Sequence, residues 1–318
     1  MKRFGSSVGA LAGCALFVLA PISEASFLDD DALPGVDDLC QQTAVRVARS
    51  CRVGAESDFW LASAKCSNLA TDAMRTKCEA QALDDKKDAL VTCEGQRGAR
   101  QAACTRLGGG AYAPVIDPAD FVATIDNPYF PLKPGTTFIY EGQSAEGLVH
   151  GEFSVTHNTK VILGVTCVEV RDTVTVNGEL TEDTLDWFAQ DKLGNVWYMG
   201  ENSKQLAGGL IVGVEGSWTG GVDGAKPGII MHVNPTIGRL YRQEFALDTA
   251  EDLAEVLSLT EAVTVAAASC DRCLETQENS PLEPGAVEHK FYAPGIGNVL
   301  TIDLITGERL ELVQIKTE

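Results

Sequence analysis

The chain has 318 residues, 45% hydrophobic and 22% charged, an ordinary globular composition that excludes wholesale disorder. Its 25 basic residues face 45 acidic ones, a net charge of −20 that repels phosphate backbones and anionic membranes and argues against nucleic-acid binding. After residue 26 no apolar stretch approaches the ~20 residues needed to span a bilayer.

Lys2 and Arg3 precede an apolar run from Val8 to Ile22, and Ser23-Glu24-Ala25 ends in a small residue. This is the layout of a signal peptide over residues 1–25, and it predicts a secreted or periplasmic protein. Leu11-Ala12-Gly13-Cys14 supports a rival reading, a lipoprotein anchored through Cys14. On either reading the chain leaves the cytosol, and disulfides are the default use of its other cysteines.

Charge divides the chain beyond residue 26 into two parts. Residues 27–107 carry 13 acidic and 11 basic residues, a net of −2, whereas residues 108–318 carry 31 and 12, a net of −19. Between them Gly108-Gly109-Gly110-Ala111-Tyr112-Ala113-Pro114 reads as a linker. The expected organisation is a cysteine-rich helical module over 27–107, a linker over 108–125 and a β-domain over 126–318.

In the first module Cys40, Cys51, Cys66, Cys78, Cys93 and Cys104 are separated by 11, 15, 12, 15 and 11 residues. The series is palindromic, so the pairs 40/104, 51/93 and 66/78 share one midpoint. Two antiparallel helices with disulfide rungs would produce that pattern. Residues 37–52, 56–70 and 73–93 have apolar positions at helical spacing, and Thr71-Asp72 offers a side-chain oxygen to cap the returning helix. In an unbroken helix residues 11 apart lie about 16 Å from each other, which excludes a Cys40–Cys51 bridge. Interruptions at Gly54, Gly95 and Gly98 would instead give four short helices and reopen local pairings. Zinc sites bring cysteines in pairs two to four residues apart, and none of these six is that close. Such a module serves as a spacer or as a surface for a protein partner.

From Asp126 the period changes to two. Strands are expected at 136–142, 148–162, 165–176, 179–190 and 196–200, with Asn177-Gly178 as the strongest hairpin signal. Further strands are expected at 210–219, 239–246, 256–265, 272–279, 286–293, 297–303 and 308–315. Short strands, turn residues and no long helix argue for a mainly β protein, an antiparallel barrel or half-barrel. The glycine-rich stretch 220–228 reads as a flap over a cavity mouth or as a surface loop.

Three segments, Asn127-Pro128-Tyr129-Phe130-Pro131-Leu132, residues 186–191 and residues 194–198, resemble a group of secreted bacterial proteins of unknown function. The stretch from Glu288 to Gly297 resembles the last strands of lipoprotein-carrier-like open barrels. The resemblance covers residues 126–318. It implies a half-barrel wrapped around a helix, and it brings no catalytic residues.

Signatures of hydrolases, zinc proteases, phosphate loops and EF-hands are absent from the sequence, and no catalytic residue, metal or cofactor is expected. The candidate ligand-binding residues lie on successive strands. His150 shares a face with Glu152, Glu169 with Arg171, and Glu182 and Asp186 with Phe188; Trp197 and Tyr198 add aromatic surface. Turned inward, these faces would enclose one cation among several carboxylates, which marks a polar ligand site or an acid–base site. If Val168, Val170, Val174 and Val176 point inward instead, Glu169 and Arg171 are solvated.

Cys167, Cys270 and Cys273 form an odd set. A bridge from Cys167 to one of the pair would tie two strands, and a zinc or copper site from the pair with a histidine is the alternative. The leading expectation is an exported, non-enzymatic binding protein for a small apolar or amphiphilic ligand. An extracellular hydrolase or lyase using Glu182 and Asp186 with Arg171 or His150, and a structural protein without a cavity, are its rivals.

Overall fold

The computed structural model describes residues 38–318. The expected signal peptide over 1–25, the alternative lipid-anchor residue Cys14 and the first residues of the cysteine-rich module lie outside the described residues.

Two long helices come first, α1 (Leu39–Ser67) and α2 (Asp72–Leu107). Asp38 starts α1 by accepting from the Gln41 N–H at 2.9 Å, and Thr71 starts α2 by accepting from the Met74 N–H. Each such bond satisfies one of the orphan donors at a helix start. The breaks that the rival reading placed at the glycines do not occur. Helix α1 runs through Gly54, and α2 runs through Gly95 and Gly98 to Leu107. A mid-helix glycine costs only about 1 kcal/mol relative to alanine, too little to break arms that are covalently clamped. The clamps are Cys40–Cys104, Cys51–Cys93 and Cys66–Cys78, the nested set, with Cα separations of 5.6, 5.7 and 5.5 Å.

The chain then passes through a 3₁₀ turn at Pro118–Asp120 into seventeen strands. They are β1 (Phe121–Val122), β2 (Thr136–Ser144), β3 (Gly147–Ile162), β4 (Val165–Val176), β5 (Glu179–Asp191), β6 (Val196–Asn202), β7 (Gln205–Ala207), β8 (Leu210–Gly213) and β9 (Trp218–Thr219). The second half holds β10 (Lys226–Met231), β11 (Leu240–Arg242), β12 (Glu244–Phe245), β13 (Leu253–Val265), β14 (Ala268–Asn279), β15 (Glu288–Ala293), β16 (Gly297–Asp303) and β17 (Arg309–Thr317). Strands β2 to β6 pair in sequence, β13 to β17 do the same, and β17 pairs with β2. On the other side β6 pairs with β10, β10 with β12, and β11 with β13. The sheet thereby curls into a nearly closed antiparallel barrel.

Local chemistry explains the joints. Asn177 and Gly178 both have positive φ, 52° and 82°, as a two-residue hairpin requires between β4 and β5. The glycine-rich stretch 220–228 is neither a flap nor only a loop, because Lys226–Gly228 opens strand β10, which closes the barrel. Gly228 is needed there: a Cβ would stand 2.4 Å from the Gln243 carbonyl carbon.

The resemblance implied a helix inside the barrel; instead the barrel's own side chains fill it. Phe130, Phe138, Phe153 and Phe188 pack with Val168 and Val170, and Phe188 stacks on Tyr198 at 4.8 Å. A second apolar layer, Ile162, Val165, Cys167, Trp187, Ala189 and Met199, lies on the other face of the sheet under Ile116 and Phe121. The expected bridge from Cys167 therefore does not form. Cys167 is a buried free thiol in this second layer, whereas Cys273 belongs to the interior and is bonded to Cys270. That bond also removes the two thiolates that a zinc or copper site would need.

The base of the helical hairpin rests on the barrel. Arg100 makes a bidentate pair with Glu251 at 2.8 and 2.9 Å, both side chains being buried, and Arg106 reaches Glu255 at 2.7 Å.

Candidate functional site: the acidic end of the barrel interior

In β4 the valine face points inward. Val168 and Val170 join the interior core, so Glu169 and Arg171 fall on the outer face. Arg171 is half exposed and pairs with Asp183 at 2.8 Å, whose carboxylate raises the guanidinium pKa. His150 and Glu152 also lie outside, on β3, with the His150 ring 3.6 Å from Glu152 and 3.7 Å from Glu141. Trp197 is on the outer side too, edge-on to Phe121 and donating to Asp191 at 2.9 Å. Of the eight candidate residues, Glu182, Asp186, Phe188 and Tyr198 come together, and His150, Glu152, Arg171 and Trp197 do not join them. The reason is the two-residue period of a strand, which sends each neighbour of an inward valine outward.

The inward face of β5 carries Glu182, Asp186 and Phe188 in succession. Asp186 is 1% exposed, sits opposite Val170 and accepts from the Tyr198 hydroxyl at 2.5 Å. Beyond it the interior becomes strongly polar. Glu201 of β6 is the cross-strand neighbour of Asp186. Glu244 of β12 accepts from the Trp218 indole at 2.7 Å. Glu278 of β14 accepts from Lys290 at 2.7 Å, from Tyr292 at 2.9 Å and from Thr276 at 3.0 Å. Lys290 also lies 3.5 Å from Glu288. An interior with one cation among several carboxylates therefore exists, with Lys290 in the place that the sequence pattern offered to Arg171.

The electrostatics split this cluster in two. Burial alone would lower the Lys290 pKa, but Glu278 and Glu288 outweigh it and hold the ammonium charged. Burial would raise Glu278, but the same ammonium and its hydroxyl donors keep that carboxylate below its ordinary pKa. Glu244 is different: burial, then the charges of Asp252 and Glu201, push its pKa well above the ordinary value. Asp172 is raised likewise, by burial and then by Asp186 and Glu182. A free space of about 20 Å³ remains between Tyr198, Glu244, Glu278 and Lys290. That is room for one water or one ammonium head, since a water needs ~10–15 Å³ on this measure.

Sequence reading missed Glu201, Glu244, Asp252, Glu278, Glu288 and Lys290. The signal was present in β15, where Glu288 and Lys290 alternate with His289, but nothing local says which of the two sets faces inward. Among the described residues no group of three or more His, Cys, Asp or Glu is placed to hold a metal ion, and no helix is long and apolar enough to cross a membrane.

No family model matches the chain, and no curated protein matches it. Among solved structures it is similar to a protein of Parabacteroides distasonis ATCC 8503 provisionally described as a lipoprotein, at 15% identity and a TM-score of 0.34, over 60% of this chain and 99% of that one. The three nested disulfides fit a periplasmic or extracellular location, where thiols oxidise and stay oxidised.

Proposed function

We propose that the protein is an exported, non-enzymatic binding protein whose β-domain over 126–318 takes the cationic head of a small amphiphilic amine into the acidic end of its barrel. The helical module over 27–107, joined through 108–125, serves as its stalk or partner surface. One observation carries this reading: Glu244 is held well above its ordinary pKa by burial and by Asp252 and Glu201, beside a space the size of an ammonium group. An ionised buried carboxylate is costly unless it is paired, and a cation placed beside Glu244 would let it ionise. The hydrolase reading loses support, because Arg171 and His150 lie on the opposite side of the sheet from Glu182 and Asp186.

Calorimetry with benzylamine and with benzyl alcohol tests it. The amine should bind and release protons, seen as a heat that varies with the buffer's ionisation enthalpy, and the alcohol should not bind. Glu244→Gln should weaken amine binding about tenfold, the worth of one charge-assisted contact. Equal binding of amine and alcohol, or unchanged affinity in Glu244→Gln, would sink the proposal.

A further inference from the structure

A second concavity lies outside the barrel, where residues 107–114 cross from the helical hairpin to the sheet. It encloses about 350 Å³, in the range of small-molecule sites. Its walls are Tyr112 on the crossing segment and Trp197, His232, Arg239, Tyr241 and Arg242 on the barrel.

Three features distinguish it from ordinary surface. The first is charge. In a chain of net −20, no carboxylate among the described residues lies within ion-pair distance of Arg239 or Arg242. Glu251, the natural partner for Arg242, is already engaged by Arg100 and by the Asp248 N–H. Arg242 instead rests on the rings of Phe245 and Tyr112, at 4.5 and 5.6 Å, with one nitrogen 3.8 Å from the Cys40 sulfur. Burial lowers its pKa, so an anion brought to it would be welcomed.

The second is an orphaned polar atom. His232 is 5% exposed and its Nε2 has no hydrogen-bond partner, although buried nitrogens nearly always have one. Its ring stands edge-on to Tyr241 at 4.6 Å. Burial holds its pKa at about 4, so at neutral pH the ring is uncharged and offers either a donor or an acceptor to a bound molecule. The third is the supply of aromatic surface from Trp197 and Tyr112, both only part-buried, whereas the Tyr241 ring belongs to the barrel interior.

We infer that this groove binds an aromatic carboxylate. Its carboxylate would lie against the guanidinium groups of Arg239 and Arg242, whose planar forks match it. Its ring would pack on Trp197 and Tyr112, and a polar edge would meet His232 Nε2. This inference does not depend on the amine site, which lies inside the barrel and has the opposite charge.

Calorimetry with naphthoate, naphthalene-methanol and inorganic phosphate tests it on the whole exported chain. Naphthoate should bind, and Arg239→Gln and Arg242→Gln should each weaken it about tenfold. Arg239 is exposed, so Arg239→Gln decides the matter if Arg242→Gln melts early. The neutral alcohol should bind at least about tenfold more weakly than naphthoate, because it lacks the charge. Glu244→Gln should leave naphthoate binding unchanged. Absence of naphthoate binding, equal affinity for the alcohol, phosphate binding as tight as naphthoate, or loss of binding in Glu244→Gln would each overturn the proposal.

Discussion

The helical hairpin and the barrel reach a stable fold by opposite means. In α1 and α2 the buried side chains are few and small, mainly Ala44, Ala48, Ala55, Ala82 and Ala103, while Trp60 and Val91 stand 61% and 72% exposed. Two helices alone cannot enclose a core, and three covalent rungs replace the burial they lack. The barrel does the reverse. Its phenylalanine cluster and two apolar layers supply the burial, and its one disulfide, Cys270–Cys273, closes too short a loop to restrain the unfolded chain much. The lesson concerns spare capacity. A domain held by packing over much of its interior can carry a costly acidic cluster at one end, whereas a hairpin held by disulfides leaves most of its surface open to other contacts.

That contrast can be broken first in the barrel. Phe188→Ala removes the ring that contacts Phe130, Phe153 and Tyr198, and should cost about 3–5 kcal/mol of barrel stability. Denaturation followed by tryptophan fluorescence should show this, with the three hairpin disulfides still paired by peptide mapping. A loss below about 1 kcal/mol would mean that the barrel does not depend on this packing. In the hairpin, Cys51→Ser with Cys93→Ser opens a link across 42 residues and should cost about 2–4 kcal/mol. The expected record is loss of helical circular dichroism at lower temperature, with the barrel transition unmoved. Coincident shifts of both transitions would show the two regions unfolding as one.

The smallest effect belongs to the seam between them. With its pKa at about 4 against an ordinary 6.5, His232 refuses in the folded protein a proton that the unfolded chain accepts. Its contribution is full above pH 6.5 and is lost as the pH falls towards 4. The raised pKa of Glu244 has the opposite sign, so its protonation favours the native state as the pH falls. His232→Gln isolates the first effect: between pH 6.5 and 4 the wild type should lose on the order of 2 kcal/mol more than the variant. Parallel stability curves would contradict a neutral, buried His232.

Much of this architecture is legible in the chain. The palindromic cysteines indicate the nested rungs because residues 11 apart in a helix cannot touch. Asn177-Gly178 marks its hairpin because both residues accept positive φ. Strand β10 is not legible, since the glycines that suggest a loop are there to let backbone approach backbone at Gly228. The site was half legible. Glu182, Asp186, Phe188 and Tyr198 are inside, but His150, Glu152 and Arg171 followed a face that turned out to be solvated.

Local sequence thus determined the helices, the hairpin turns, the disulfide ladder and the alternation of each strand, because those depend on spacing and on the conformations single residues allow. Only the closed barrel decided which alternate face became interior, that Lys290 rather than Arg171 would stand among the carboxylates, and that Arg239, Arg242 and His232 would line a groove beside Tyr112. Those outcomes join strands far apart in sequence, and the pairing of β6 with β10 and of β17 with β2 is set by burial summed over the whole sheet.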